Sequence, residues 1–130
     1  MASIFTRIIN GEIPAYKVAE DDRFLAFLDI APNAKGHTLC VPKREVDKLF
    51  DLDKQEYHDL MEFSRRVALA LQKTVPCERI GMSVIGLEVP HVHVHLIPIN
   101  LMRDMTFQHK ITLSPEKMTE LAEAIASHFE

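Results

Sequence analysis

Three histidines alternate with apolar residues in the run His91-Val92-His93-Val94-His95-Leu96-Ile97. Successive side chains of a strand point to opposite faces, so such a run puts His91, His93 and His95 on one face and Val92, Val94 and Leu96 on the other. The branched face belongs on a core. The histidine face looks into a cleft or onto a metal. At about 3.3 Å per residue, neighbouring rings start roughly 6.6 Å apart, within reach of one phosphate-sized ligand. Neutral imidazole is nucleophilic and titrates near neutral pH. A histidine whose second nitrogen is held by a carbonyl or carboxylate can attack phosphorus, while its neighbours hold the phosphate oxygens and protonate the leaving group. Metal binding is the rival chemistry, since His-x-His on a strand can supply two zinc ligands and then needs a third. Cross-strand pairing on a solvated face is the reading without chemistry.

The rest of the chain supplies the elements that must position this row. Its 130 residues suit one domain, 1–130, and a 47% hydrophobic content suits one core. Short strands are expected in the first third: Tyr16 to Ala19, Arg23 to Leu28 and His37 to Val41, with Pro32 and Gly36 bracketing the loop before the last. Asp53, with Glu56 three residues on, caps a long helix that Pro76 ends. Its apolar face reads Tyr57, Leu60, Met61, Ser64, Val67, Ala68 and Leu71. Ile80 to Ile85 reads as a fourth strand and the histidine run as a fifth. Ser114-Pro115 opens a C-terminal helix with Met118, Leu121, Ala122, Ile125 and Phe129 on one face. The sum is α+β: an antiparallel sheet of about five strands, one long helix and a C-terminal helix.

A net charge of −4 and a pI near 6.0 argue against a broad grip on nucleic acid polymers or an acidic membrane, but not against a small anion. Cys40 and Cys77 read as reduced core thiols. No apolar run approaches the roughly 20 residues of a membrane span. The N-terminus lacks the pattern of a signal peptide, so a cytoplasmic location is expected.

The run at 91–97 resembles the signature of the histidine-triad (HIT) family, in which three histidines alternate with apolar residues. The resemblance extends over Ile4-Phe5 to Ile8-Ile9, Gly11 to Ala15, Glu20 to Asp22, Ala26 to Pro32, Gly36 to Thr38 and Val41 to Lys43. It implies a half-barrel sheet, doubled in a homodimer through the main helix and a strand edge. It also implies hydrolysis or transfer at the α-phosphate of a purine nucleotide, through a nucleotidyl-histidine intermediate and without a cofactor. By matching position, His93 is the nucleophile and His95 the phosphate contact near the leaving group. His91 orients the nucleophile through its carbonyl, and His37 joins the relay behind. Asp29 matches the ribose-binding acid; Ile4, Phe5, Ile8, Phe27 and Ile30 match the apolar base slot.

Three departures from the family pattern bear on function. Many bacterial members carry Cys-x-x-Cys near the start and a histidine after the Pro-Lys of the third strand, which help bind zinc. Ser3, Thr6 and Glu45 stand there, so no structural zinc is expected. The loop before the triad is short, Ser83 to Leu87, and lacks an amide usual in the family. Glu88 stands where phosphoramidase members place Ser or Thr, and Pro90 can turn it toward the leaving group. The expected function is a nucleotide hydrolase, of nucleoside 5′-phosphoramidates or related nucleotides. The alternatives are a purine nucleotide-sensing module with very slow turnover and a zinc-dependent nucleotidyltransferase.

Overall fold

The computed structural model describes residues 2–130. The chain opens with a helix, α1 (Ile4–Ile9), ahead of the expected strands and not assigned from the sequence; its N-terminus is capped by the Ser3 hydroxyl accepting from the Thr6 N–H. Ile4, Phe5 and Ile8 recur at helical spacing, but six residues are too few to separate that period from an apolar run. Five strands follow in chain order: β1 (Lys17–Glu20), β2 (Phe24–Leu28), β3 (Thr38–Pro42), β4 (Arg79–Ser83) and β5 (Val94–Ile99). They pair antiparallel throughout in the order β1-β2-β3-β5-β4, with a bulge in β1 between Lys17 and Ala19. The long helix α2 (Lys54–Thr74) joins β3 to β4, and α3 (Pro115–His128) ends the chain; Asp53 and Ser114 cap them as expected.

β2 and β3 are buried along their whole length because both faces of the sheet are covered. Phe24, Ala26, Leu28, Cys40, Val92, Val94 and Leu96 pack with Leu60, Phe63, Val67 and Leu71 of α2 and with Leu121 and Ile125 of α3. Leu25, Phe27, Leu39 and Val41 pack on the other face with Phe5 and Ile8 of α1. The buried side of α2 includes Phe63 and Ala70, while Tyr57, Met61 and Ala68 are only partly covered, so the contact face is rotated from the expected one. Cys40 lies fully within the core and Cys77 is half-buried; both are free thiols.

The expected fifth strand, His91 to Ile97, begins three residues late. Its ladder with β3 closes at Cys40↔Val94. Before that point the Val92 N–H turns to the Val46 carbonyl and the His91 N–H to the Val89 carbonyl. Pro90, which has no N–H to give, marks the departure. The fourth strand likewise stops at Ser83 rather than Ile85. Gly36, at φ +96°, seats the start of β3 against Val75 and Pro98: a Cβ there would stand 3.0 Å from Val75 Cγ2 and 3.1 Å from Pro98 Cγ. Among the described residues, no helix is long and apolar enough to cross a membrane.

Candidate active site

His93 is held by the backbone two residues before it. Its Nδ1–H donates to the His91 carbonyl at 2.7 Å. A carbonyl only accepts, so the proton sits on Nδ1 and Nε2 keeps its lone pair. The departure of residues 91–93 from the ladder makes this contact possible. The ring packs edge-on to Phe5 of α1 and to His95, with centroids 4.9 Å away in each case. It lines a groove of about 660 Å³ with Val84, Ile85, Leu87, Pro90 and Phe50.

A second chain of hydrogen bonds sets the tautomers of the other two rings on this side. The Asn33 N–H donates to His37 Nδ1 at 2.9 Å, so the proton of His37 lies on Nε2. His37 Nε2–H then donates to His95 Nδ1 at 3.0 Å, which leaves His95 with its proton on Nε2. Burial, with the neighbouring His95 and Lys110 charges, pushes His37 down to about 3. Burial, with His93 and Lys110, pushes His95 down to about 4. Both rings are therefore neutral at pH 7, and the free N–H of His95 is the donor of the pair.

His91 is fully buried and faces away from this relay. Its Nε2–H donates to the Pro42 carbonyl at 2.8 Å, and its Nδ1 accepts from the Ser3 hydroxyl at 2.7 Å. Burial lowers its pKa, the Pro42 contact offsetting part of this. Its carbonyl, not its ring, reaches His93. The Ser3 N–H and the Thr6 hydroxyl both donate to Glu45 Oε1, at 2.8 and 2.6 Å. Ser3, Thr6, Glu45 and His91 thus form a hydrogen-bonded cluster of two hydroxyls, one carboxylate and one imidazole. This donor set is too hard, and too fully engaged, for the soft tetrahedral zinc site expected of cysteine-bearing relatives.

Asp29 lies at the end of β2, half-buried, with Oδ1 accepting from the Ala31 N–H at 2.8 Å and Oδ2 3.6 Å from His37 Nε2. Burial pushes its carboxyl up; the Ala31 N–H, Lys110 and His93 pull it down, and Glu88 adds to the rise. Asp29, His37 and His95 each bring one ligand atom within 4.8 Å of the others. The His37–His95 hydrogen bond already uses the facing nitrogens, so a metal there would have to displace it. Phe5, Ile8 and Phe27 form a packed floor, while Ile4 and Ile30, expected in the same apolar slot, are 49% and 81% exposed. Glu88 is exposed in the 84–90 segment.

The sequence reading misses three residues that complete this site. Asn33 is buried and makes three contacts: with His37, with the Asp104 carbonyl through Nδ2 at 2.9 Å, and with Lys110 Nζ through Oδ1 at 2.7 Å. The Phe107 ring stands edge-on to His95 at 4.8 Å and to His37 at 5.9 Å. Lys110 Nζ lies 4.9 Å from the centre of the Phe107 ring. Turn chemistry at Pro32-Asn33 is the one sequence signal for any of them.

The sheet, the groove and the alternating row define a histidine-triad protein. The HIT domain family model matches residues 10–101, and the chain belongs to that family. A HIT-like protein of Borreliella burgdorferi is 36% identical over 132 residues, covering 95% of each chain. The adenosine 5′-monophosphoramidase HNT1 of Saccharomyces cerevisiae is 41% identical over 98 residues, which is 75% of this chain and 62% of that one. A solved HIT-like protein from Bartonella henselae superposes with a TM-score of 0.84 at 30% identity, covering 97% of this chain and 95% of the other.

Proposed function

We propose that the chain is a nucleotide hydrolase that acts at the α-phosphate of a purine nucleoside 5′-phosphoramidate or related nucleotide through a covalent intermediate on His93. The observation that carries this reading is the His93 Nδ1–H bond to the His91 carbonyl, which leaves Nε2 as a free nucleophile on a ring lining an open groove. The phosphoramidase activity named for HNT1, at 41% identity, supports it. The His93 Nε2 lone pair forms a bond to phosphorus as the bond to the leaving group breaks. The His95 Nε2–H donates a hydrogen bond to the departing atom, which takes its proton from solvent in the groove, and His37 holds His95 in the donor tautomer. Water then attacks the nucleotidyl-histidine, releasing the nucleoside monophosphate and restoring His93. Asp29 accepts from the ribose hydroxyls, Ile4, Phe5, Ile8, Phe27 and Ile30 hold the base, and Glu88 faces the leaving group. No step uses a metal. As the working unit we propose a cytoplasmic homodimer joined through α2 and the β4 edge.

The test is labelling with an α-³²P nucleotide, quenched in alkaline detergent. Wild-type protein should retain label at a nitrogen, stable to base and lost in acid, and turnover should survive a chelator. His93→Ala should lose the label and nearly all turnover, since removing a covalent nucleophile can cost up to about a millionfold in kcat, while keeping its thermal midpoint. Label persisting in His93→Ala, or activity lost to the chelator and restored by zinc, would overturn the reading.

A slow-turnover sensor is the second reading. It draws on the exposed Glu88 carboxylate, whose charge is felt at Asp29 and would repel a phosphate. A burst of one nucleotide per subunit followed by almost no turnover would favour it.

A further inference from the structure

The His93 ring is fixed by a carbonyl that no sheet bond holds. The β3–β5 ladder closes at Cys40↔Val94, so His91 and Val92 lie outside it. The segment leaving β3 fastens them instead. The Val46 carbonyl accepts the Val92 N–H at 2.8 Å, and the Pro42 carbonyl accepts the His91 Nε2–H at 2.8 Å. A third contact comes from Ser3, whose hydroxyl donates to His91 Nδ1 at 2.7 Å. His91 is pinned at both ring nitrogens, and its carbonyl in turn holds His93 Nδ1–H.

Ser3 has little freedom of its own. Its one hydroxyl proton goes to His91, and the oxygen accepts the Thr6 N–H at 3.0 Å. Glu45 closes the ring of contacts: a single oxygen, Oε1, accepts both the Ser3 N–H and the Thr6 hydroxyl. Those two donors hold the Glu45 carboxyl below its ordinary range, which keeps it an ionised acceptor at neutral pH. Ser3 and His91 are buried, whereas Glu45 stands at the surface and does not line the groove. Phe5, next to Thr6 in α1, packs on the His91 ring at 5.7 Å and on the His93 ring at 4.9 Å. Glu45 therefore reaches His93 by two routes. One runs through Ser3 and the His91 carbonyl, the other through α1 and Phe5.

We propose that Ser3 and Glu45 are positioning residues that fix the orientation and tautomer of His93, acting through the buried His91 ring. This rests on the reading of His93 as the nucleophile. Without the Glu45 acceptor, the Ser3 backbone and the Thr6 hydroxyl are released. Ser3 then loses its place on His91 Nδ1, peptide 91 is free to turn, and His93 Nδ1–H loses its carbonyl. The His93 ring then exchanges between two tautomers, and Nε2 carries the lone pair only part of the time. A nucleophile misplaced by about 1 Å loses on the order of a hundredfold in rate.

Glu45 is exposed, so its variants leave the core intact. Imidazole ¹⁵N NMR reads the His93 tautomer directly, its signals assigned by their loss in His93→Ala. Wild-type protein should show one fixed tautomer, protonated at Nδ1. Glu45→Ala and Ser3→Ala should each average the two nitrogens. Each should also slow the appearance of label on His93 in a single turnover by about tenfold or more, with KM moved less than about twofold. Glu45→Gln, which keeps an acceptor oxygen, should restore both properties. Ile125→Val, a small cavity on α3 across the sheet, should lower the thermal midpoint and move neither, which separates positioning from stability. A fixed tautomer and a wild-type labelling rate in both alanine variants would overturn the proposal, as would Glu45→Gln behaving like Glu45→Ala. A tautomer that depends on Glu45, in a wild-type protein that takes up no label, would overturn the nucleophile reading and leave the positioning role standing.

Discussion

At the scale of single residues, the site is specified by which atom of each ring is already occupied. His93 and His91 are two positions apart, yet one exposes a free nitrogen to the groove and the other spends both on Ser3 and Pro42. The row of histidines is legible in the sequence because it needs only a period of two. The distinction between them is not, because it depends on carbonyls contributed by other segments. Asp29 gives a residue-scale prediction. Its Oδ1 is engaged by Ala31, and Oδ2 is left for a ligand beside His37. Asp29→Ala should cost about 1.5–3 kcal/mol of kcat/KM for ribonucleotides, the value of a lost carboxylate acceptor, and much less for 2′-deoxy analogues. Steady-state kinetics on matched pairs checks this; equal losses would remove Asp29 from the ribose site.

At the scale of elements, the sheet was readable where burial is complete, as with the apolar runs of β2 and β3, and less so at its margins. β5 starts late because Pro90 and the Val92–Val46 bond pull three residues off the ladder, which no local pattern announces. The helix α1 is too short for its period to show. The strap at 102–111 is set by a positive φ on a phenylalanine and by a distant asparagine, neither of which composition reveals. Gly36 couples elements to site. It packs against Val75 after α2 and Pro98 of β5, and His37 follows it directly. Gly36→Ala would combine a disfavoured backbone with two contacts at or near 3 Å. It should lower stability by about 1–3 kcal/mol, read as a drop in thermal midpoint. It should also lower kcat more than it raises KM, because the displaced ring is His37.

At the scale of the whole molecule, the neutral histidines make stability depend on pH. His37 and His95 bind protons at about 3 and about 4 in the fold, and near the ordinary histidine value once unfolded. Between those values the unfolded chain holds more protons, so stability is full above about pH 6.5 and falls as pH drops toward 4. His91 acts in the same direction; Asp29, whose carboxyl is raised, opposes it. The thermal midpoint should therefore fall between pH 7 and pH 4, by at most about 1.4 kcal/mol per unit for each histidine, and His95→Asn should flatten the slope. The second whole-molecule prediction concerns β4, which has one paired edge and one open edge, with Met82 46% exposed on it and Leu69 of α2 43% exposed. Met82→Lys should convert a dimer into a species of 14.9 kDa, read by light scattering, without lowering the thermal midpoint of the subunit at low concentration. A wild-type protein already at that mass would refute the homodimer.

The hydrogen-bond chain Asn33 to His37 to His95 begins on a peptide nitrogen. A peptide N–H does not ionise at any pH at which the protein is folded, so the row is sealed at that end. His37 is open only on its other side, where Asp29 Oδ2 stands 3.6 Å from Nε2 and His95 accepts from it. Neither neutral ring can give up its remaining proton without becoming an anion, so the row is a fixed set of oriented donors and not a proton store. In the proposed cycle, the proton for the leaving group and the water that frees His93 would therefore both enter from the solvent side.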